Sequence, residues 1–197
     1  MTSPVAAQVD RQPPLAWVIL DRPELGNPVD EALATALTRV WVELVDEEIR
    51  AIGLRANGPA FSVGSVDRLA APVSQFGPKS CGCAKPILAQ VAGDVGAGAF
   101  SLIAEADVVI AAEDVHFTVP FDPVDRLDVL RLQRRLPAAE LRRLALLGPY
   151  AALRAGRAQE LGLVDEVVPR SLLAQRAETL LRVLARPDGE LASWEAT

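Results

Sequence analysis

Two glycine-bearing loops hold the residues best suited to chemistry. The first is "VAGDVGAGAFSLIAEAD", Val91 to Asp107, a turn of small residues running straight into a short apolar stretch; the second is "NGPAFSVGSVDR", Asn57 to Arg68. At the start of a helix the backbone N–H groups lack intrahelical acceptors, and the helix dipole favours negative charge there. Glycine also lets a backbone approach a ligand closely. Gly98, just ahead of the apolar stretch, is therefore a candidate donor toward a charged oxygen. The small residues at 96 to 99 equally suit tight packing of a helix on a sheet, so both readings stand at this point. Acids cluster in "FDPVDRLD", which carries Asp122, Asp125 and Asp128. Of these, Asp125 and Asp128 fit as carboxylates in the first turn of a helix. His116, the single histidine, precedes Phe117 on a predicted strand, where a structural imidazole is the commoner case. Cys81 and Cys83 in "KSCGCAKP" form half of a metal-ligand pattern with no second cysteine pair, so two ordinary thiols and no metal are expected.

The elements that must position these loops follow from hydrophobic patterning. "LAWVIL", Leu15 to Leu20, is a continuous apolar run closed by the turn "DRPELGNP", which predicts a buried strand. From Asp30, a capping residue, Leu33, Leu37, Val40, Trp41 and Leu44 recur at helical spacing. "AIGLRA" predicts a second strand leading into the "FSVG" loop, "PILAQV" a third leading into the glycine turn, and "DVVIAA" a fourth after the helix "AFSLIAEA". Strand, loop and helix are thus used several times over, the signature of an α/β domain. Beyond Asp122 the chain turns helical, with leucines on one face and arginines on the other. It then gives a short helix ended by Gly162, a strand over Val164 to Val168, and a last helix from about Ser171 to Arg186. The division expected is a flexible tail over 1–14, a core domain over 15–169, and a shortened C-terminal helix and tail over 170–197.

Bulk composition narrows the function classes. The 197 residues are 50% hydrophobic, enough for one real core. Apolar stretches are broken by charge well short of a bilayer span, and the first residues lack a basic region followed by an apolar block, so a cytoplasmic protein with no membrane partner is expected. The formal net charge is −6, and the basic residues are scattered among acids, which argues against nucleic acid.

Four segments, "VILDRPELGNPVDEALATAL", "AFSVGSVDR", "AKPILAQVAGDVGAGAFSLIAEADVVIAAEDVHF" and "RAQELGLVDEVVP", occur in an order that resembles the enoyl-CoA hydratase/isomerase, or crotonase, superfamily, over roughly Leu15 to Pro169. The resemblance implies the ClpP/crotonase fold, a spiral of repeated strand-strand-helix units with a helical C-terminal part. It implies acyl-CoA as the ligand, coenzyme A being part of the substrate with no covalently bound cofactor. Homo-oligomers, trimers or dimers of trimers, are implied as well. In such proteins two backbone amides form an oxyanion hole that polarises the thioester carbonyl. The matching positions here are Ser65 and Gly98. Leu25, Gly26, Val66 and Asp67 fall where the adenine and pantetheine path would run, and Leu25 also reads as an ordinary turn residue.

The chain departs from the hydratase pattern at two positions. Where hydratases carry the two glutamates that position and deprotonate water, this sequence has Ser101 and Phe121. Serine is no useful base at neutral pH without a partner, and phenylalanine has no proton to exchange. Two function classes follow: an enzyme on acyl-CoA with other lyase- or isomerase-type chemistry, using the oxyanion hole and Asp125, or a non-catalytic acyl-CoA-binding protein or partner subunit. The brief connection from Asp67 to Lys85 and the short stretch after Pro169 also predict a reduced pocket cover and a weaker basis for assembly.

Overall fold

Leu15–Leu20 is apolar at every position and buried at every position, as expected of a strand covered on both faces. The computed structural model describes residues 6–63, 76–96, 98–118 and 132–186. This strand, β2, pairs in parallel with β3 (Ala51–Ala56), in register from Leu15 with Ala51 to Leu20 with Ala56. β4 (Ile87–Val91), β5 (Val108–Ala112) and β8 (Glu166–Val168) continue the parallel arrangement. With Ala7–Gln12 as β1, the sheet order is β1-β2-β3-β4-β5-β8, and a separate two-stranded antiparallel pair is formed by β6 (His116–Phe117) and β7 (Leu153–Arg154).

The helices cross over between these strands. α1 (Glu31–Glu43) begins at Asp30, whose carboxylate accepts from the Leu33 N–H at 2.9 Å, and it buries Leu33, Ala34, Leu37, Val40 and Trp41. The helical spacing read from the sequence is thus the buried face. α2 (Ala99–Ala104) links β4 to β5. After α3 (Ala138–Leu147) and the short α4 (Ala155–Glu160), α5 (Arg170–Leu184) lies across β3, β4 and β5 and buries Leu173, Ala177 and Leu181.

The flexible tail expected through residue 14 is corrected by the structure. Ala7–Gln12 forms β1, antiparallel to β2, in register from Ala7 with Leu20 to Gln12 with Leu15. The physical reason lies in β2. Without β1 its outer row of N–H and C=O groups would be an unpaired edge beside the core. The polar sequence "QVDRQ" hides this strand because an edge strand is largely solvated, and only its first residue is buried. β8 is also shorter than the strand expected over 164–168, since Val164 lies in the turn that closes α4.

Candidate active site

Ligands of parallel α/β sheets bind outside the carboxyl ends of the strands, where the loops gather. The loop after β2 is shaped by Asn27, which has a positive φ of 52°. Its side-chain oxygen accepts from the Arg22 N–H at 2.7 Å, while its amide donates to the carbonyls of Asn57 at 2.9 Å and Ala60 at 3.2 Å. One buried side chain therefore fastens the loop after β2 to the loop after β3. Gly26 adds a second tie: its carbonyl accepts from Val63 N–H at 2.8 Å, and a Cβ on it would run into Val63 Cγ2. Leu25 beside it is 58% exposed.

The loop after β4 docks against the same segment. Asp94 C=O accepts from the N–H groups of Phe61 at 3.1 Å and Ser62 at 3.3 Å, and Gly96 N–H donates to Ser62 C=O at 2.7 Å. Val95 forms parallel bridges with Ser62 on one side and Phe117 on the other, so three chain segments meet in a narrow seam. Gly93 makes the approach possible. It has φ +75°, and a Cβ there would fall 2.8 Å from the Pro59 carbonyl carbon, 2.9 Å from Ala60 Cα and closer still to the Pro59 oxygen.

Gly98 follows this seam and directly precedes α2. No carbonyl of a described residue accepts from its N–H outside regular helix bonding, and the residue is partly exposed. The helix behind it is anchored by Ala99, Phe100, Leu102 and Ile103, all buried, with the Phe100 ring tilted against Phe117 at 6.3 Å between centroids. Ser101 lies in α2, and its side chain is outside the described part of the structure. Ser65, Val66 and Asp67 lie outside the described residues, as do Phe121, Asp122, Asp125 and Asp128. The structure thus brings Gly98, Leu25 and Gly26 to loops fastened around Phe61–Val63, the segment that leads to Ser65.

Two side-chain pairs flank these loops. Arg22, buried beneath the loop after β2, donates to both oxygens of Asp30 at 2.7 and 2.8 Å and to Pro28 C=O at 2.7 Å. The hydrogen bond from Arg22 is the main reason the Asp30 carboxyl titrates below the ordinary carboxylate range; burial opposes it, and the Leu33 N–H assists. A carboxyl whose folded pKa is depressed contributes stability that is present above the unfolded value and lost as pH falls through the folded one. Asp30→Asn is accordingly expected to flatten the acid limb of stability measured by urea unfolding from pH 6 downward, and an unchanged limb would refute the assignment. The second pair is His116, whose Nδ1 lies 3.6 Å from Asp94 Oδ1 on the half-exposed side of the seam. This puts the imidazole outside the core that Phe117 enters.

Asn27, Arg22 and the Asp94 carbonyl are the site-building groups that sequence reasoning missed. The only signal was the turn composition of "GNP", which marks a turn without saying what it fastens. Among the described residues no three His, Cys, Asp or Glu side chains gather as metal ligands, and no helix is long and apolar enough to cross a membrane.

A mainly parallel sheet with its loops seamed in this way makes an α/β protein with a ligand-binding edge, and comparison with known proteins gives the family. A family model described as enoyl-CoA hydratase/isomerase matches residues 10–192, and the chain belongs to that family. Carnitinyl-CoA dehydratase of Salmonella typhi is 29% identical, over 88% of this chain and 72% of the relative. Among solved structures, an enoyl-CoA hydratase/isomerase from Mycobacterium paratuberculosis superposes with a TM-score of 0.81 at 25% identity, covering 91% of this chain and 76% of that one. A Pseudomonas aeruginosa protein superposes with a TM-score of 0.82 at 25% identity, covering 95% and 88%.

Proposed function

We propose that this chain binds acyl-CoA thioesters and polarises their carbonyl between the backbone amides of Ser65 and Gly98. The observation that carries the reading is the seam of Ser62, Val95 and Phe117, because it fastens the loop leading to Ser65 against the turn leading to Gly98. An amide at the start of a helix is a donor already aimed and already short of an acceptor, so it stabilises charge without reorganising as that charge develops. Coenzyme A would run along Leu25, Gly26, Val66 and Asp67, held chiefly by backbone atoms. The family description and the dehydratase relative, both of which name CoA thioester chemistry, support the ligand class.

For a reaction, the chain's own candidate acid or base is Asp125. It would move a proton at the carbon next to the polarised carbonyl, in lyase- or isomerase-type chemistry rather than standard hydration. The second reading, a non-catalytic acyl-CoA binder or partner subunit, is favoured by Ser101 and Phe121 at the positions of the hydratase glutamates. A cytoplasmic homo-oligomer, a trimer or dimer of trimers, belongs to the same proposal. Leu146, Leu147 and the 91%-exposed Tyr150 give α3 and the turn after it an apolar surface for such contacts.

Calorimetry with a series of acyl-CoAs, run alongside light scattering on the same sample, tests the proposal. Saturable binding that weakens when free CoA replaces the thioester is expected from an assembly larger than one chain. Folded protein with no heat from any thioester would refute the ligand class, and a strict monomer at micromolar concentration would refute the assembly.

A further inference from the structure

The Cys-Gly-Cys turn has no part in the acyl-CoA reading, and it is built in a way that invites chemistry of its own. Cys81 N–H donates to Gly77 C=O at 3.0 Å, Gly82 N–H to Lys79 C=O at 3.0 Å, and Cys83 N–H to Pro78 C=O at 2.9 Å. Between the cysteines, Gly82 has φ +78° and open space where a Cβ would sit, so chain direction rather than crowding suits glycine there. No disulfide joins the two cysteines, and both pack against the same hydrophobic cluster. Two residues of fully extended chain span at most about 7 Å, and the left-handed bend shortens that reach. The Cα atoms are therefore no more than about 7 Å apart, close enough for a modest shift of the turn to bring them to the separations that disulfides bridge.

Burial divides the labour between the two thiols. Cys83 is 2% exposed, whereas Cys81 is only partly covered, so a reagent in solution meets Cys81 first. The turn also rests on the end of α2. Ser80 donates to the Glu105 carboxylate through its N–H at 2.9 Å and through its hydroxyl, and a Cβ on Gly77 would run into that carboxylate. Glu105 is itself buried, immediately after the helix that Gly98 precedes.

We propose that Cys81 and Cys83 are a thiol–disulfide site, oxidised by a low-molecular-weight disulfide such as glutathione disulfide to a bond within the turn. The Cys81 thiolate attacks one sulfur of the oxidant, forming a mixed disulfide and expelling one glutathione thiolate. Cys83, as thiolate, then attacks the Cys81 sulfur, closing the ring and expelling the second glutathione thiolate. Two protons pass from the cysteines to the two leaving thiolates; the protein is oxidised by two electrons and the glutathione disulfide is reduced. Closing so small a ring turns the backbone at Ser80 and loosens its hold on Glu105.

The full chain incubated with glutathione disulfide, acid-quenched, alkylated and weighed by mass spectrometry tests this independently of any thioester. The wild type is expected to become lighter by two hydrogens, lose both alkylatable thiols and regain them with dithiothreitol. Cys83→Ser should stop at one glutathione adduct, and Cys81→Ser should stay unmodified under conditions that convert the wild type. Amide exchange at Ser80 should quicken about tenfold or more in the oxidised form. Folded wild type that keeps two alkylatable thiols, or that stops at the adduct without closing the ring, overturns the site. Unchanged exchange at Ser80 overturns its coupling to α2.

Discussion

Purified protein is expected to leave crotonyl-CoA unhydrated on a timescale at which a working hydratase consumes it completely. On the proposed alignment, Ser101 and Phe121 stand where two glutamates would hold and deprotonate the attacking water. General acid–base help alone is worth about 10²- to 10⁴-fold, and loss of water positioning removes more. The remaining oxyanion amides belong to the backbone and do not depend on either side chain. Ser101→Glu combined with Phe121→Glu is therefore the sharper experiment, read by the loss of enoyl absorbance. Measurable hydration by the double variant would reveal an intact hole beneath a discarded mechanism. Brisk hydration by the unmodified protein would show that the register from Gly98 to Phe121 is wrong, or that Asp125 does the work of the missing acids.

A single methyl group at Gly93 is expected to damage both fold and site. Alanine in the left-handed region costs about 1–2 kcal/mol by itself. Here the new Cβ would also press on the Pro59 carbonyl and Ala60 Cα, main-chain atoms that no rotamer change can move aside. A total destabilisation of about 3 kcal/mol is expected, placing Gly93→Ala among the severe single substitutions. Urea unfolding measures it. Gly156→Ala in the first turn of α4 is the control, since nothing lies within 4 Å of the added atom and the change is expected to leave stability within about 0.5 kcal/mol of wild type. Residual folded Gly93→Ala protein should also bind thioesters poorly, because the displaced segment is the one leading through Phe61 and Ser62 toward Ser65. Equal stability of Gly93→Ala and wild type would refute the close approach of the two loops.

How much was legible beforehand depended on whether the signal was periodic or relational. The uninterrupted run Leu15–Leu20 and the spacing of Leu33, Leu37, Val40 and Trp41 behind Asp30 determined a buried strand and an amphipathic helix, because burial imposes a period on the sequence itself. The repeated order of strand, glycine loop and helix likewise determined the α/β class and marked the loops holding Leu25, Gly26 and Gly98. Tertiary structure alone decided the rest. β1 exists because β2 presents an open edge to it, which the polar residues Gln8 to Gln12 do not announce. Asn27 matters because Asn57 and Ala60, far along the chain, offer it two carbonyls, and Gly93 matters because Pro59 lies against it. A turn residue's type states which backbone angles it tolerates, while the partner that makes it indispensable is chosen by packing between distant segments.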